Sequence, residues 1–566
     1  MKIVVRKYAE ADRHALLKAG VHPVLARVYA GRRIHSAQEL EHSPARLLAP
    51  GELLHCERAG SLLADAIEQR KKLLIVADYD ADGATACALG VRALRLFGAR
   101  VEYLVPNRFE LGYGLSPELV ELAAKHKPDL LITVDNGIAS VEGVSLARSL
   151  GIATLITDHH LPGDELPAAD CIVNPNQPGC GFRSKALAGV GVMFYVLLAL
   201  RAELRRRGKF DGNPEPNLAA LTDLVALGTV ADMVPLDANN RILVAQGLKR
   251  LRSGFAKPGL AALLAAGGRD ASSAGCFELG FVIGPRLNAA GRLSDMSLGI
   301  ECLVTDDEAR AGNCAQELDR LNRERRRIEG GMLEEALAAV QELPRDAGAA
   351  VTLFEPGWHQ GVVGLVASRV RERFDRPVVC FARSAAGGGE GGALLAGSGR
   401  SVPGLHLRDC LDLVAKRAPG LVLRFGGHAQ AAGLTIREKD LRRFAELFER
   451  TAGELLPEEA RRRVVETDGE LEAVYHSLDV AQLLESQIWG QGFPQPLFCD
   501  TFAVESQRVV GERHLKLRLR KDDRRIEAMR FNSLDPLPPR VRAAYRLAVN
   551  EYSGLKSVQI NVEHTE

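Results

Sequence analysis

Three aspartates spaced two apart, Asp78, Asp80 and Asp82, close an apolar run at residues 73–77, and Gly83 follows with the freedom to turn the chain. Side chains alternate along an extended segment, so the three carboxylates start on one face at the end of a buried strand. Folding gains nothing from that crowding, because like charges oppose one another's ionisation unless a cation neutralises them. Taken alone, the segment also reads as a solvated Asp-rich turn. Three later segments favour the cation. Residues 130–134 run into Asp135, Asn136 and Gly137, residues 153–157 run into Asp158, His159 and His160, and residues 224–231, read as another strand, lead to Asp232. In an open parallel sheet the C-terminal strand ends share one edge, and ligands bind in the crevice outside it. The expected site holds several carboxylates and two imidazoles without thiolates, a set that suits Mg²⁺ or Mn²⁺, with the imidazole tilting the choice towards Mn²⁺. Two such ions side by side can activate a water and stabilise a leaving oxygen at phosphorus.

The elements needed to position these residues follow from the pattern around them. From residue 73 to about 200, apolar strands, including 101–105, alternate with amphipathic segments at 84–97 and 117–125, which predicts a doubly wound α/β domain. The longest apolar stretch, 186–200, is shorter than the roughly 20 residues that cross a bilayer and is interrupted by Gly189 and Gly191, so it reads as a buried helix. With 566 residues, a net charge of +1 and ten scattered cysteines, the chain has the composition of a multidomain globular protein with reduced thiols. The absence of a Cys-x-x-Cys pair argues against zinc, and the lack of a secretory leader makes a cytoplasmic location the expectation. A charge so near zero means that any nucleic-acid path must come from local segregation of charge.

Residues 284–292 (GPRLNAAGR) read as a loop rich in glycine and arginine, and residues 307–343 as a long helix carrying Arg320, Arg323, Arg325, Arg326 and Arg327. By its periodicity that run suits a solvated face salted with Glu324 and Glu329, while its place after the α/β domain suggests a connecting helix lining a DNA channel. A second α/β unit follows, with strands at 351–354 and 433–436 and a glycine-rich insertion at 385–392. The tail offers short strands at 497–504, 514–519, 525–531, 545–550 and 557–562, which fit a small barrel of oligonucleotide-binding type. Its alternating Lys516, Arg518 and Arg520 could track phosphates or simply form the wet face of a half-buried strand.

Asp158-His159-His160, together with the Asp78–Asp82 motif, Asp135-Asn136-Gly137 and the segment 228–232, resembles the DHH phosphoesterase superfamily. Residues 106–108 (PNR), 112–114 (GYG), 284–292 and 426–429 (GGHA) resemble its branch of bacterial single-strand-specific 5′→3′ exonucleases, and the likeness spans nearly the whole chain. It implies an α/β multidomain fold: an N-terminal appendage (1–45), a DHH parallel-sheet domain (46–240), a helical linker region (241–345), a DHHA1-type α/β domain (346–455), and a connector with a C-terminal OB-type β-barrel (456–566). It also implies roles: Asp80, Asp82, Asp135, His159 and Asp232 as metal ligands, with Asp135 bridging two ions; Asp78 as outer support; Asp158 orienting a histidine; and His160 at the scissile phosphate. Arg108, Ser398 and Arg400 would hold a 5′-phosphate, Arg286 would grip the backbone, Tyr113 would stack on a base, and His428 would lie on the substrate side. One departure is Val76, which stands where many DHH proteins carry a histidine ligand, so one of two Mn²⁺ or Mg²⁺ sites is expected to be weak. The resemblance further implies single-stranded DNA as substrate, a single-strand-binding protein and a repair helicase as partners, no membrane association, and a monomer. The rivals are a DHH enzyme of short RNA or cyclic dinucleotides, which would lack the long linker and barrel, and a catalytically silent DNA-binding relative, which would have lost its ligands.

Overall fold

In the computed structural model, which describes residues 2–107, 114–341, 348–384, 393–457, 464–552 and 554–566, the aspartate motif ends a strand buried on both faces. Leu74 and Val76 pack into one apolar cluster, with Leu115, Leu119 and Ile156, while Leu73, Ile75 and Ala77 pack into another on the opposite face. That double burial explains why this strand reads as an unbroken apolar run. Five strands form a parallel sheet in the order Arg100–Leu104, Lys72–Ala77, Leu130–Val134, Ala153–Thr157, Cys171–Val173. Helices Ala81–Leu96 and Gly189–Arg206 cover the sheet, and the apolar stretch 186–200 is the buried helix expected of it. Among the described residues no helix is long and apolar enough to cross a membrane.

Two segments differ from their sequence reading. Residues 224–231 are not a strand but most of the helix Thr222–Ala231, with Asp232 at its C-cap. Leu224, Val225, Ala226 and Leu227 are all fully buried, so the helix shows no apolar stripe from which its period could be read. Residues 284–292 are not a loop either: a π-helical segment, Glu278–Ile283, runs directly into the α-helix Gly284–Leu293. The glycines that suggested a loop serve close approach. A Cβ on Gly291 would stand 2.0 Å from the Tyr79 carbonyl oxygen.

The long helix Glu308–Gln341 follows, and most of its arginines are occupied. Arg320 pairs with Glu317 and Glu324, Arg323 with Asp319, and Arg325 with Glu329. Arg326 and Arg327 are exposed and, among the described residues, form no ion pair. Arg286 reaches across from the helix Gly284–Leu293. Its guanidinium donates from Nε to Asp319 Oδ1 at 3.0 Å and from Nη1 to the Val282 carbonyl at 2.7 Å. Buried and engaged in this way, Arg286 clamps two helices together, a structural tie that stands beside its expected grip on the DNA backbone. Removing Asp319 would strand that guanidinium in the interior, so Asp319→Ala is expected to destabilise the protein by about 3–5 kcal/mol, read as a fall in denaturation midpoint. A midpoint within about 0.5 kcal/mol of wild type would rule the clamp out.

The second α/β unit has a mixed sheet in the order Arg424–Gly427, Ala431–Arg437, Leu394–Arg400, Val378–Arg383, Val351–Phe354, with only the last pair parallel. Its core includes Phe381, Phe444 and Phe448, with the last two rings stacked 5.6 Å apart. At the C-terminus Phe498–Val510, His514–Lys521, Arg524–Arg530, Leu555–Thr565 and Arg540–Tyr552 close into a barrel in that order. Leu515, Leu517 and Leu519 point inward, and the alternating cations point out. Lys516 and Arg518 share Glu527, and Arg520 and Arg525 share Glu505, so the basic stripe is half neutralised.

The first residues are tied to the far end of the chain. Strand Lys2–Val5 pairs in parallel with Val464–Thr467, Arg32 bonds both carboxylate oxygens of Asp468, and Tyr29 packs against Trp489 and Phe493.

Candidate metal centre

The strand ends deliver their side chains to one crevice. Three overlapping groups, Asp78 with Asp80 and Asp135, Asp82 with His159 and Asp232, and Asp135 with His159 and His160, each place one ligand atom per residue within 4.8 Å of the others. All five residues read as metal ligands are therefore together. Asp78, read as outer support, lies in the same arrangement as the ligands, and its alternation with Asp80 was the signal for that.

Local structure fixes each group. Asp80 caps the helix Ala81–Leu96, its Oδ1 accepting from the backbone N–H of Asp82 at 2.9 Å and Gly83 at 3.0 Å. Asp82 is buried at the start of the helix Gly189–Arg206, where its carboxylate accepts from Gly189 N at 2.7 Å and Val190 N at 3.0 Å. Asp135 sits in the left-handed region at φ 63°, a conformation that aspartate tolerates better than most residues and one that is frequent at functional sites. Gly189 is required beside it, since a Cβ there would come within 2.6 Å of the Asp135 carboxylate.

The electrostatics point to a cation. Burial, then Asp82 and its acidic neighbours, raise the Asp135 carboxyl well above its ordinary value. Burial, then Asp232 and Asp80, do the same to Asp82, and burial with Asp80 lifts Asp232 to about 7. His159 moves the other way, to about 4, because burial and the adjacent His160 disfavour its charged form. It is therefore a neutral imidazole. A hydrogen bond to the Leu187 backbone holds the ring, and Nε2 stands 3.1 Å from Asp135 Oδ1 and 3.5 Å from Asp232 Oδ2 with hydrogen-bond geometry to neither. A buried nitrogen lone pair among crowded carboxylates fits a divalent ion with mixed oxygen and imidazole ligands, and the oxygen-rich set fits Mn²⁺ or Mg²⁺.

His160 has a different setting. Its Nδ1 lies 2.8 Å from Asp158 Oδ1, and the same oxygen accepts the backbone N–H of both histidines at 2.7 and 3.1 Å, while Oδ2 accepts from Ile138 N at 2.9 Å. Burial opposes the charge on both partners, but the bond and charge of His160 hold Asp158 below its usual range, and Asp158 in turn raises His160 to about 9. The pair is an imidazolium backed by a carboxylate, at the edge of the carboxylate cluster.

The second domain overhangs this edge. His428, exposed after the strand Arg424–Gly427, brings its ring centroid to 6.3 Å from that of His160. Ser398 and Arg400 lie on the strand Leu394–Arg400, where Arg400 donates to Ser398 Oγ at 3.1 Å, the Gly399 carbonyl at 2.7 Å and Ser368 Oγ at 3.1 Å. Burial lowers the Arg400 pKa, and among the described residues no carboxylate bonds it. Gly364, in the first turn of the helix Val363–Phe374, leaves room for the guanidinium, since a Cβ would meet Arg400 Nη2 at 2.9 Å. A helix N-terminus and a guanidinium without a counter-ion both favour negative charge. Arg108 and Tyr113 lie outside the described residues, as does the insertion 385–392. Val76 is fully buried among apolar side chains and offers no ligand.

Strand-end aspartates, paired histidines, a second α/β unit and a closed barrel define a multidomain DHH-family protein. The family model "DHH family, N-terminal domain" matches residues 72–229, "DHHA1 domain" residues 346–454 and "RecJ OB domain" residues 467–564. The chain belongs to the RecJ family: it is 48% identical to the single-stranded-DNA-specific exonuclease RecJ of Escherichia coli (strain K12) over 98% of both chains. It is 34% identical to that of Thermus thermophilus, with 96% of this chain and 75% of the relative covered. The crystal structure of RecJ in complex with Mn²⁺ from Thermus thermophilus superposes with a TM-score of 0.82 at 31% identity, covering 100% of this chain and 79% of that one. A RecJ structure from the same organism contains Mg²⁺.

Proposed function

We propose that this protein is a metal-dependent exonuclease that degrades single-stranded DNA from the 5′ end to 5′-mononucleotides, in DNA repair and recombination. The observation that carries the reading is the convergence of five carboxylates and a neutral, buried His159 Nε2 in a crevice beside the His160–Asp158 pair. Asp78, Asp80, Asp82, Asp135, His159 and Asp232 would hold the ions, with Asp135 common to both sites and Val76 leaving one of them weaker. Divalent ions bound there would supply activation of the attacking water and neutralisation of charge at phosphorus. His160, held protonated by Asp158, donates to the scissile phosphate and stabilises its developing charge. Ser398 and Arg400 at the N-terminus of helix Val363–Phe374 hold the terminal 5′-phosphate, with Arg108 as a further contact, and so set polarity, since the metal chemistry is indifferent to direction. His428 closes the crevice above His160, and Tyr113 stacks on a base. We further propose a cytoplasmic monomer that works with a single-strand-binding protein and a repair helicase.

Single strands labelled at either end test the reading. With Mn²⁺, a 5′ label is expected in mononucleotides from the first turnovers while a 3′ label stays on shortening strands, and a chelator stops both. Early release of a 3′-labelled mononucleotide would reverse the assigned polarity. Arg400→Lys keeps the charge but loses the fork. It is expected to raise KM for 5′-phosphorylated strands about tenfold and leave 5′-hydroxyl strands unchanged, as the loss of one charge-assisted contact implies. Equal effects on both substrates would remove Arg400 from the phosphate site.

A further inference from the structure

Phe277 and Phe281 are 54% and 62% exposed, yet their rings stack on each other with centroids 5.4 Å apart and planes 24° from parallel, and the Arg269 guanidinium lies 5.8 Å over Phe277. Large exposed rings of this kind are unusual on a surface with no ligand. Their setting is unusual too: Phe277 immediately precedes, and Phe281 lies within, the π-helical segment Glu278–Ile283, a geometry frequently found at functional sites. It is packed on the metal centre's own scaffold, because a Cβ at Gly280 would touch Val230 at 3.3 Å and one at Gly284 would touch Ala231 at 3.2 Å, the residue before Asp232.

The helix that continues from this turn carries the rings' face to the crevice. Phe277, Phe281, Pro285, Asn288 and Arg292 fall on one side at helical spacing, the first two exposed and the others half-buried. Asn288 Oδ1 accepts from the backbone N–H of Ala81, between Asp80 and Asp82, at 2.8 Å. Arg292 donates to the Gly361 carbonyl of the second domain at 3.0 Å. At about 1.5 Å per residue, Phe281 lies roughly 10 Å and Phe277 roughly 16 Å along the axis from Asn288. At a stacked rise of about 3.4 Å per nucleotide, that is three to five nucleotides from the reacting phosphate.

We propose that Phe277 and Phe281, backed by Arg269, form a stacking platform for unpaired bases of the DNA strand about three to five nucleotides to the 3′ side of the scissile bond. The proposal rests on the exonuclease reading above. A planar apolar surface with a guanidinium at its margin suits a base and its phosphate, and it is indifferent to sequence because every base has a π-face. The platform would hold the strand after each release while the next phosphate moves to the ions.

The test is steady-state hydrolysis of 5′-phosphorylated oligothymidylates of 2 to 12 nucleotides, and of a 12-mer abasic at its fourth to sixth positions, by wild type, F277A/F281A, F277L/F281L and F277Y/F281Y. For wild type, KM is expected to fall between the trinucleotide and the hexanucleotide. For both the alanine and leucine pairs, KM for the 12-mer is expected to rise about 5- to 100-fold, the range for losing base–aromatic stacking. Their kcat, and their hydrolysis of the dinucleotide, should stay at the wild-type level, and the tyrosine pair should restore KM. The abasic 12-mer should raise KM for wild type and leave the leucine pair unaffected. A 12-mer KM for the leucine pair within twofold of wild type would overturn the platform and leave the exonuclease reading standing, as would an equal loss on the dinucleotide. A wild-type protein that hydrolyses no single strand would overturn both. If the alanine pair melts early, the leucine and tyrosine pairs decide the matter.

Discussion

Replacing Asp135 by asparagine is expected to lower nuclease activity by about 10³-fold or more, while the metal-free protein stays as stable as wild type or becomes more so. Asparagine suits the position: it tolerates the φ of 63° that Asp135 adopts, and the backbone N–H can still donate to the Thr157 carbonyl at 3.0 Å. Alanine would add strain at that φ and confuse the comparison. What changes is charge. In the absence of ions Asp135 is opposed by Asp82, Asp80, Asp232 and Asp78, so one fewer carboxylate relieves repulsion that folding alone never required. Each kcal/mol relieved would raise Tm in chelator by at most about 2–4 °C for a chain of this size. Manganese should separate the two proteins in the other direction, by stabilising wild type more than the variant. At a concentration about 100 times its Kd it stabilises wild type by about 2.7 kcal/mol, and the variant, lacking the carboxylate shared by two ligand groups, should lose most of that increment. Thermal melts with and without Mn²⁺, beside the labelled-strand assay, give both readings. Activity within tenfold of wild type together with an unchanged Mn²⁺ increment would remove Asp135 from the centre.

The same crowding makes the site legible in the sequence. Aspartates at alternate positions after a strand have no use in a core, so Asp80, Asp82, Asp135 and His159 can be placed from the ends of apolar runs. Asp232 is located correctly for a mistaken reason: its run is a helix whose whole circumference is buried, and burial on all sides erases the period that separates helix from strand. The structural bond of Arg286 is not legible in the sequence, because its partner Asp319 lies 33 positions away on another helix. The pairing of Lys2–Val5 with Val464–Thr467 is beyond reach for the same reason: its contacts span some 460 residues, and neither four-residue strand carries a pattern that names the other. The barrel, by contrast, announces all five strands, since each is wet on one face and alternates accordingly.

Gly291→Ala should show that the helix behind the aspartate loop is a buttress the centre depends on. By propensity alone the exchange ought to help, because alanine in a helix interior is favoured over glycine by about 1 kcal/mol and Gly291 has no positive φ to protect. Packing decides otherwise. The new Cβ would stand 2.0 Å from the Tyr79 carbonyl oxygen and 3.2 Å from its carbon, and both are backbone atoms with no rotamer to give way. Either the helix Gly284–Leu293 retreats, which pulls Asn288 from its 2.8 Å bond with Ala81 N, or the loop carrying Asp78 and Asp80 shifts away from Asp135. Overpacking of this sort costs about 1–3 kcal/mol, and misplacing ligands by an ångström costs about 10² in rate. The expected result is therefore a Tm several degrees lower, a weaker Mn²⁺ increment and about 1% of wild-type activity. Gly312, in the long helix with nothing within 4 Å of its would-be Cβ, is the matched control, where alanine should be neutral or stabilise by up to about 1 kcal/mol. Were Gly291→Ala to behave like Gly312→Ala, the contact between this helix and Tyr79 could not be what holds the aspartates in place.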